Sequence, residues 1–356
     1  LEGGTRGALV FDQDEDVTAI GVFAQGQTEL GGGVELSIGA RYDRVEFDVD
    51  DDFIANGDES GDEIFDEFSP AVSLMWSPSP LFHLYGRFST SFETPTTTEF
   101  ANPSGGGGFN SSLDPQTAKA YELGAKGLLP GRLRYELVLY HVDVDDELVP
   151  FELASMPGRT FFRNAGSSTR RGVEAAVAAE LAPGLTSTVS YTWSDLRFDR
   201  YRTPAGRFDG NRIPGAPRNQ LFAELAYSHP WGFRAVWDAL YVGHVHLNDA
   251  NTAKEGSSLV SNLRLSWTLR KGPWEVTPFV GVNNLFDRAY SSNLRINAFG
   301  GRYFEPAPDR SLYGGVGVRL EFGEARDPQG EADLGRALSR ALQRVASRPT
   351  RGGAIR

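Results

Sequence analysis

The stretch VELSIGARYD (residues 34–43) decides the fold, because apolar and polar residues alternate along it. Alternation with a period of two sends each set of side chains to its own face of a β-strand, whereas a helix would mix the two sets. The same pattern recurs at 259–270 and 311–322. We therefore predict an all-β protein built from antiparallel strands.

About 14 strands are predicted from these patterns. They are expected at residues 5–12, 17–30, 33–50, 66–78, 81–92, 117–129, 131–148, 160–181, 184–198, 218–229, 232–246, 257–270, 273–285 and 310–322.

The predicted connections alternate between short and long. The short ones contain Gly and Pro, which favour tight turns, and lie at 30–33, 78–81, 129–131, 181–184, 228–232 and 270–273. The long ones lie at 51–65, 93–116, 149–159, 199–217, 247–256 and 286–309. A transmembrane β-barrel has short turns at one end and long loops at the other. The alternation therefore predicts such a barrel, with a soluble β-sandwich or β-propeller as the alternative.

The polar faces of many predicted strands carry full charges, which are costly in a dry core but ordinary in a water-filled lumen. Examples are Arg41, Arg87, Glu122, Lys126, Glu174, Glu224, Arg264 and Arg319. Trp76, Trp231 and Trp274 lie close to short turns. This placement is typical of the aromatic girdle of a membrane barrel.

Composition excludes several classes of function. The 356 residues contain no cysteine, which excludes disulfides, a thiol nucleophile and a thiolate metal site. The net charge of −12 argues against nucleic acid as the main partner. No apolar run is long enough for a transmembrane helix. Because no leader follows Leu1, we expect either a removed signal peptide or a piece of a larger chain, and we favour the piece.

Five short motifs carry a family resemblance: YELGAK at 121–126, NAG at 164–166, IPGAP at 213–217, VNNLFD at 282–287 and YFEP at 303–306. In this order and spacing they resemble the C-terminal part of TonB-dependent outer-membrane receptors, those for siderophores or cobalamin above all. The resemblance covers about residues 16–322. It implies a 22-stranded barrel with an N-terminal plug, which imports scarce ligands with energy from an inner-membrane complex.

The resemblance also sets the expected domains and location. Residues 1–322 would be a portion of that antiparallel transmembrane β-barrel, without a plug, in the outer membrane of a Gram-negative-type bacterium. Residues 323–356 would be a periplasmic extension with a short C-terminal helix, amphipathic and basic, at 331–348. This helix either rests on the inner surface of the membrane or has no role. Pairing of strands 5–12 and 310–322 would close the barrel, and otherwise two edges stay exposed.

The leading functional hypothesis is a receptor and transporter barrel for a scarce ligand such as a ferric siderophore. A TonB-type complex would be a partner only if a plug is present, and membrane lipid and lipopolysaccharide would be further partners. The alternative is a passive outer-membrane pore. An enzyme is disfavoured because no nucleophile with a partnered base stands out, so we expect no catalytic residues and no cofactor.

The candidate ligand-binding residues lie on long loops that combine arginine with aromatic rings. An anionic iron chelate would use such donors and ring faces, whereas the alternative roles are loop packing and contact with lipopolysaccharide phosphates. The candidates are Arg163, Tyr201, Arg202, Arg207, Tyr290, Arg295, Arg302 and Tyr303.

Two further clusters are candidates for binding cations. His244 and His246 share one predicted strand face with Asp249 nearby, so they could hold a transition metal or simply form a polar strand end. The predicted acidic loop 46–67 could bind Ca²⁺ or stay a solvated surface loop. Neither has a full set of ligands, and we assign no metal site.

Overall fold

The computed structural model describes residues 9, 12–55, 58, 60–100, 102, 110–129, 133–203 and 206–321, without the side chains of 156–158. Within that part the chain forms one antiparallel sheet of 14 strands and four small two-stranded sheets. No helix among the described residues is long and apolar enough to cross a membrane.

The strands of the main sheet cover most of the chain. They are β1 (Gln13–Gly31), β2 (Val34–Asp51), β3 (Gly61–Ser79), β4 (Phe82–Glu93), β5 (Gln116–Leu129), β6 (Leu133–Asp145), β9 (Ser167–Ala182), β10 (Leu185–Arg200), β13 (Asn219–Ser228), β14 (Phe233–Val242), β17 (Ser258–Trp267), β18 (Leu269–Lys271), β19 (Trp274–Asn283) and β22 (Ser311–Leu320).

The four small sheets all lie in the long connections. They pair β7 (Leu148–Leu153) with β8 (Met156–Asn164), β11 (Arg202–Thr203) with β12 (Gly206–Arg207), β15 (Val245–His246) with β16 (Lys254–Glu255), and β20 (Ser291–Leu294) with β21 (Phe304–Pro306). A single 3₁₀ turn is described, at Phe299–Gly301.

The order of strands in the main sheet follows the chain. Each strand pairs with the one before it, from β1 through β6 and on through β9, β10, β13, β14, β17, β19 and β22, once the small hairpins are set aside. The segments β17 and β18 are separated at Thr268 and both pair with β19. Such an up-and-down arrangement brings all short turns to one end of the sheet and all long loops to the other, as predicted.

The two faces of the sheet differ in polarity. One row places Leu123, Leu139, Val173 and Trp193 side by side across four strands, and the Leu123 side chain stays 51% exposed. Neighbouring positions along these strands point to the other face. That face carries pairs such as Arg87 opposite Glu122. The predicted division into an apolar face and a charged polar face is confirmed.

Two of the short turns contain a glycine in a backbone conformation that other residues rarely adopt. Gly184 has a φ of 76°, and a Cβ there would lie 2.2 Å from the carbonyl oxygen of Ser228 on the next strand. Gly232 repeats this arrangement against Thr268, with a φ of 85°. An L side chain at either position would be strained and would also clash with the backbone. These turns therefore set the spacing of neighbouring hairpins.

Two predicted strands, 131–148 and 160–181, are each broken in the structure. The break after β6 falls at Asp146, which has a positive φ of 55°. The break before β9 falls at Gly166, where a Cβ would lie 2.6 Å from the Arg200 carbonyl oxygen. The predicted loop 149–159 is consequently part of a separate hairpin, β7–β8, rather than irregular chain. Similarly, the predicted strand 232–246 ends at Val242.

The prediction of an acidic loop at 46–67 was wrong. Strand β2 runs on to Asp51 and β3 begins at Gly61, so most of this stretch is a paired extension of the sheet. The cause is an alternation of apolar residues between the acids: Phe47, Val49 and Phe65 are all buried. This apolar alternation, and not the run of acids, determines the local structure.

The edges of the described sheet are β1 and β22, and no pairing between these two strands is present among the described residues. Of the predicted strand 5–12, Leu9 and Asp12 are described and neither lies in a strand. The sheet reaches 14 strands because 257–270 is split at Thr268. The predicted C-terminal helix at 331–348 lies outside the described residues.

Candidate functional site

Two buried clusters support the chain at the long-loop end of the sheet. The first, here called the aromatic cluster, consists of Phe47, Phe65, Phe100 and Leu113. The second, here called the loop network, is centred on Tyr201, Asp249 and Asn297 and joins four of the long connections.

Hydrogen bonds of about equal length hold the loop network together. The Tyr201 hydroxyl donates to Asp249 Oδ2 at 3.0 Å, and Asn297 Nδ2 donates to Asp249 Oδ1 at 3.0 Å. The Asp249 amide donates back to Asn297 Oδ1 at 3.0 Å. Asn297 Nδ2 also reaches the carbonyl oxygen of Pro150, again at 3.0 Å. Side chains and backbone from separate loops thus meet at one carboxylate.

Apolar packing surrounds this polar centre. Tyr201 is only 1% exposed and packs with Val149, Ala165 and Phe198, its ring centroid lying 4.6 Å from that of Phe198. Burial raises the pKa of the Tyr201 hydroxyl and also that of the Asp249 carboxyl, in the second case against the opposing effect of its hydrogen bonds. A buried carboxylate with several donors has few other geometries available, so the network fixes the loops relative to one another.

A second junction joins the β7–β8 hairpin to the β20–β21 hairpin. Arg295 Nη2 lies 3.0 Å from Glu152 Oε1, and Arg302 Nη2 lies 4.0 Å from Glu152 Oε2. The Phe299 amide donates to the same carboxylate at 3.3 Å. The Glu152 side chain is 4% exposed, whereas the two arginines remain partly open to solvent. This carboxylate therefore positions two arginines at an accessible surface.

The β7–β8 hairpin presents a cation over an aromatic ring. The Arg163 guanidinium carbon lies 3.9 Å from the centroid of Phe151, within the range of a cation–π contact. Its Nε has no hydrogen-bond partner among the described residues. Arg163 is also close enough to Asp249 to oppose the rise of its pKa.

The remaining predicted candidates lie further apart. Arg202 and Arg207 face each other across β11–β12, both exposed, and Arg207 forms an ion pair with Asp209. Tyr290 and Tyr303 are half-buried, and their carbonyl oxygens accept backbone hydrogen bonds within their own loop, at 3.0 and 2.9 Å.

The structure therefore divides the predicted set of site residues. Arg295 and Arg302 meet at Glu152, and Tyr303 is backbone-bonded to Arg295. Arg163 and Tyr201 belong to the loop network instead. Tyr201 is 1% exposed in this structure, with its hydroxyl bonded to Asp249. Tyr201 positions the loops.

The sequence does not identify Glu152 or Asn297 as site residues, and it groups Asp249 with His244 and His246. In the structure the Asp249 carboxylate accepts hydrogen bonds from Tyr201 and Asn297. The available signal was weak: Asn297 has a positive φ of 53°, a conformation that asparagine tolerates better than most residues. Nothing local in the sequence pairs it with a residue 48 positions earlier.

The two histidines considered for a metal are neighbours in space. The rings of His244 and His246 are perpendicular, with centroids 5.8 Å apart. Burial and the nearby cations lower the pKa of His246. No group of three or more His, Asp or Glu suited to a metal ion occurs in the described part of the chain.

Comparison with known proteins identifies the scaffold. The family model described as "TonB dependent receptor-like, beta-barrel" matches residues 2–285. The chain belongs to the TonB-dependent receptor β-barrel family. Members of this family are receptors and transporters of the Gram-negative outer membrane rather than enzymes.

Curated relatives are similar over most of the chain. It is 25% identical to the metal-pseudopaline receptor CntO of Pseudomonas aeruginosa (strain UCBPP-PA14) over 285 residues, or 78% of this chain and 38% of that receptor. It is 26% identical to the ferrioxamine B receptor of Salmonella typhimurium (strain SL1344) over 291 residues, or 79% of this chain and 38% of that receptor. The chain therefore spans less than half the length of these relatives.

Solved structures agree with the fold. The siderophore receptor PiuA from Acinetobacter baumannii superposes with a TM-score of 0.72 at 18% identity, covering 87% of this chain and 44% of that one. The ferric citrate transporter FecA gives a TM-score of 0.70 at 16% identity, covering 87% and 46%. At this identity the likeness establishes the barrel-wall architecture alone.

Proposed function

We propose that the chain forms part of the wall and several extracellular loops of an outer-membrane receptor that takes up a scarce ligand such as a ferric siderophore. The observation that carries the proposal is the loop network: long loops fixed to one another on a sheet whose other features fit a membrane wall. Binding residues favour loops that a rigid scaffold positions. Two relatives of the chain are receptors for metal-pseudopaline and ferrioxamine B, which supports a metal chelate as the ligand.

In this proposal the apolar face meets lipid and the charged face lines the lumen. The long loops face the exterior and the short turns face the periplasm. Energy for uptake would come from a TonB-type complex acting on a plug. A plug would have to fill the lumen beside the sheet described here, and its presence is part of the proposal.

The ligand contacts in this proposal are Arg295 and Arg302. Glu152 holds both at the surface, and their side chains are 37% and 57% exposed. Arg163, Arg202, Arg207, Tyr290 and Tyr303 are secondary contacts on neighbouring loops, whereas Tyr201 keeps the loops in place.

Binding of a ferric chelate to the refolded chain tests the proposal. Tryptophan fluorescence would be titrated with ferrioxamine B and with ferric citrate, whose charges differ. For the chelate that binds, we expect the double variant Arg295→Ala, Arg302→Ala to weaken binding by about tenfold or more, because each lost charged hydrogen bond contributes about 1.5–3 kcal/mol. The control Arg270→Ala removes an exposed arginine at the short-turn end and should leave binding unchanged.

A passive pore is the competing outcome. Absence of binding by either chelate, together with steady ion conductance of the chain in a planar bilayer, would contradict the receptor proposal and support the pore.

A further inference from the structure

A group of arginines lies on the apolar-face side of β9 and β10, just beyond the apolar band. Positions two apart in a strand share a face, so Arg171 lies on the face of Val173 and Asp195 on that of Trp193. Cross-strand pairing sets Arg171 opposite Asp195. These charged residues therefore continue the apolar row toward the long-loop end, on the side that faces away from the lumen.

Three guanidinium groups converge on the one carboxylate of Asp195. Arg171 Nη2 and Arg197 Nε lie 3.1 Å from its oxygens, and Arg212 Nη2 lies 2.9 Å away. The Asp195 side chain is 8% exposed, whereas those of Arg171 and Arg197 are 60% and 42% exposed. One carboxylate cannot neutralise three guanidiniums, and each guanidinium has five N–H donors. The cluster keeps a positive charge and free donors aimed at its outer surface.

Neighbouring strands add to this surface. His141 is opposite Arg171 in the sheet and exposed, and it contacts Asp143 at 2.9 Å. Lys119 is opposite Asp143 and exposed as well. The nearby Asp199 accepts a hydrogen bond from Thr169. The four cations Arg171, Arg197, Arg212 and Lys119 exceed the three acids Asp143, Asp195 and Asp199 by one charge.

We propose that this surface, here called the arginine patch, binds the phosphate groups of outer-leaflet glycolipid. Guanidinium groups recognise phosphate through paired hydrogen bonds, and a buried carboxylate that fixes them reduces the entropy lost on binding. The apolar row of Leu123, Leu139 and Val173 directly below offers a surface for acyl chains, which a free phosphate ion would not need. The proposal rests on the membrane placement in the proposed function, and it is independent of uptake.

The β1–β3 edge of the sheet carries acidic residues where the arginine patch carries basic ones. On the same face of β1, β2 and β3, Asp16, Asp48 and Asp62 lie side by side in one row. This row repels phosphate at short range. Lipid phosphates would accordingly gather on the β9–β10 side of the wall and avoid the β1–β3 side.

The experiment measures lipid retention by the full chain refolded in detergent micelles. Native mass spectrometry would follow the binding of lipid A carrying two phosphates, and of the same lipid after dephosphorylation. We expect the double variant Arg171→Gln, Arg197→Gln to bind phosphorylated lipid A about tenfold less tightly, since two charge-assisted pairs are lost. Arg44→Gln is the matched control, because Arg44 is an outward-facing, half-exposed arginine of β2 within the acidic region, and binding should not change.

Two further variants separate loss of binding from loss of folding. Lys119→Gln leaves Asp195 and its arginines intact, and it should weaken binding by about two- to threefold as one surface charge is removed. The double variant Arg171→Lys, Arg197→Lys keeps the charge but loses the paired donors, so intermediate binding is expected.

Three results would overturn the proposal: equal retention of dephosphorylated lipid A, equal loss in Arg44→Gln, or displacement of lipid A by millimolar inorganic phosphate, which would indicate a site for free phosphate. Binding of lipid A in this pattern by a chain that binds no ferric chelate would contradict the proposed function and leave the arginine patch standing. Binding of a ferric chelate by a chain that does not bind lipid A in this pattern would contradict the arginine patch and leave the proposed function standing.

Discussion

The aromatic cluster and the loop network support the same end of the sheet by different means. In the aromatic cluster the rings of Phe47 and Phe100 meet edge to face, with centroids 5.3 Å apart, and Phe65 stacks on Phe100. In the loop network, Asp249 and Asn297 exchange hydrogen bonds at 3.0 Å. The aromatic cluster is stabilised by burial of apolar area, and the loop network is stabilised by hydrogen bonds of defined direction.

This difference suits the two regions to different tasks. Apolar burial is non-directional, so the aromatic cluster can extend the β2–β3 hairpin without defining a detailed surface. A satisfied buried polar network specifies one arrangement of its members. The loops that carry Arg295 and Arg302 are attached to the second kind of support, as a binding surface requires.

Replacement of Phe100 by alanine should give the largest effect. Phe100 is 1% exposed and touches both other rings of the aromatic cluster. Truncation of such a side chain costs about 3–5 kcal/mol. We expect faster hydrogen exchange in the β2–β3 extension, with the loop network unchanged. The matched control is Phe304→Ala, a half-exposed loop phenylalanine. Faster exchange at Asp249 and Asn297 as well would show that the two regions are coupled.

Replacement of Asn297 by alanine should have the next largest effect, confined to the loop network. It removes the bonds to Asp249 and to Pro150 and leaves buried polar groups without partners. Each unsatisfied group costs about 1–3 kcal/mol. Limited proteolysis within 245–255 and 291–306 should accelerate, whereas β2–β3 should stay protected. The exposed Asn293, changed to alanine, is the control. Unaltered proteolysis of Asn297→Ala would contradict the role of the network.

The pH dependence of the loop network should distinguish it from the aromatic cluster. Because burial raises the pKa of folded Asp249, the folded state binds a proton more readily than the unfolded state. Stability of the network should therefore rise as the pH falls through this raised pKa, and level off near the ordinary value of 3.8. Hydrogen exchange measured between neutral pH and pH 4 would show it. Asp249→Asn should remove this contribution, and an identical slope in that variant would assign the effect to another group.

The smallest effect is expected for Arg207→Ala. This arginine is 66% exposed, and its ion pair with Asp209 lies at the surface of β11–β12. Exposed pairs contribute about 0–1 kcal/mol. Thermal unfolding of the refolded chain should stay nearly constant, with a slight rise in local proteolysis near 206–210. A clear fall in the melting temperature would mean that surface ion pairs also carry the loop architecture.

The wall of the barrel could be predicted from sequence because its signals are local. A period of two along 34–43 and glycines within short turns, such as Gly184 and Gly232, define strand, face and turn within a few residues. The acidic stretch forms strand because Phe47 and Val49 alternate with its acids and are buried, a weaker sequence signal than the run of charge. Three of the four small hairpins could not be predicted, because their strands of two to four residues are too short to show a period.

The candidate site could be predicted only by residue type. Arginine and aromatic residues occur together in the loop of Arg295 and Arg302, and this composition predicts both as ligand contacts. Their common partner Glu152 lies 143 positions from Arg295, beyond any local pattern. The burial of Tyr201 likewise depends on Val149 and Ala165, which only the folded loops bring near. Long-range pairing of polar groups is set by the tertiary arrangement of the loops.

Strand β2 extends beyond the apolar band and carries acidic residues near its end. Asp50 lies six residues beyond Arg44 along the strand, which corresponds to about 20 Å at about 3.3 Å per residue. The Debye length at physiological ionic strength is about 8 Å. At this separation the charge of Asp50 is largely screened at Arg44. In the proposed placement, an ion arriving from outside would therefore meet the field of the acidic tip of the β2–β3 extension before it reaches the rest of the wall.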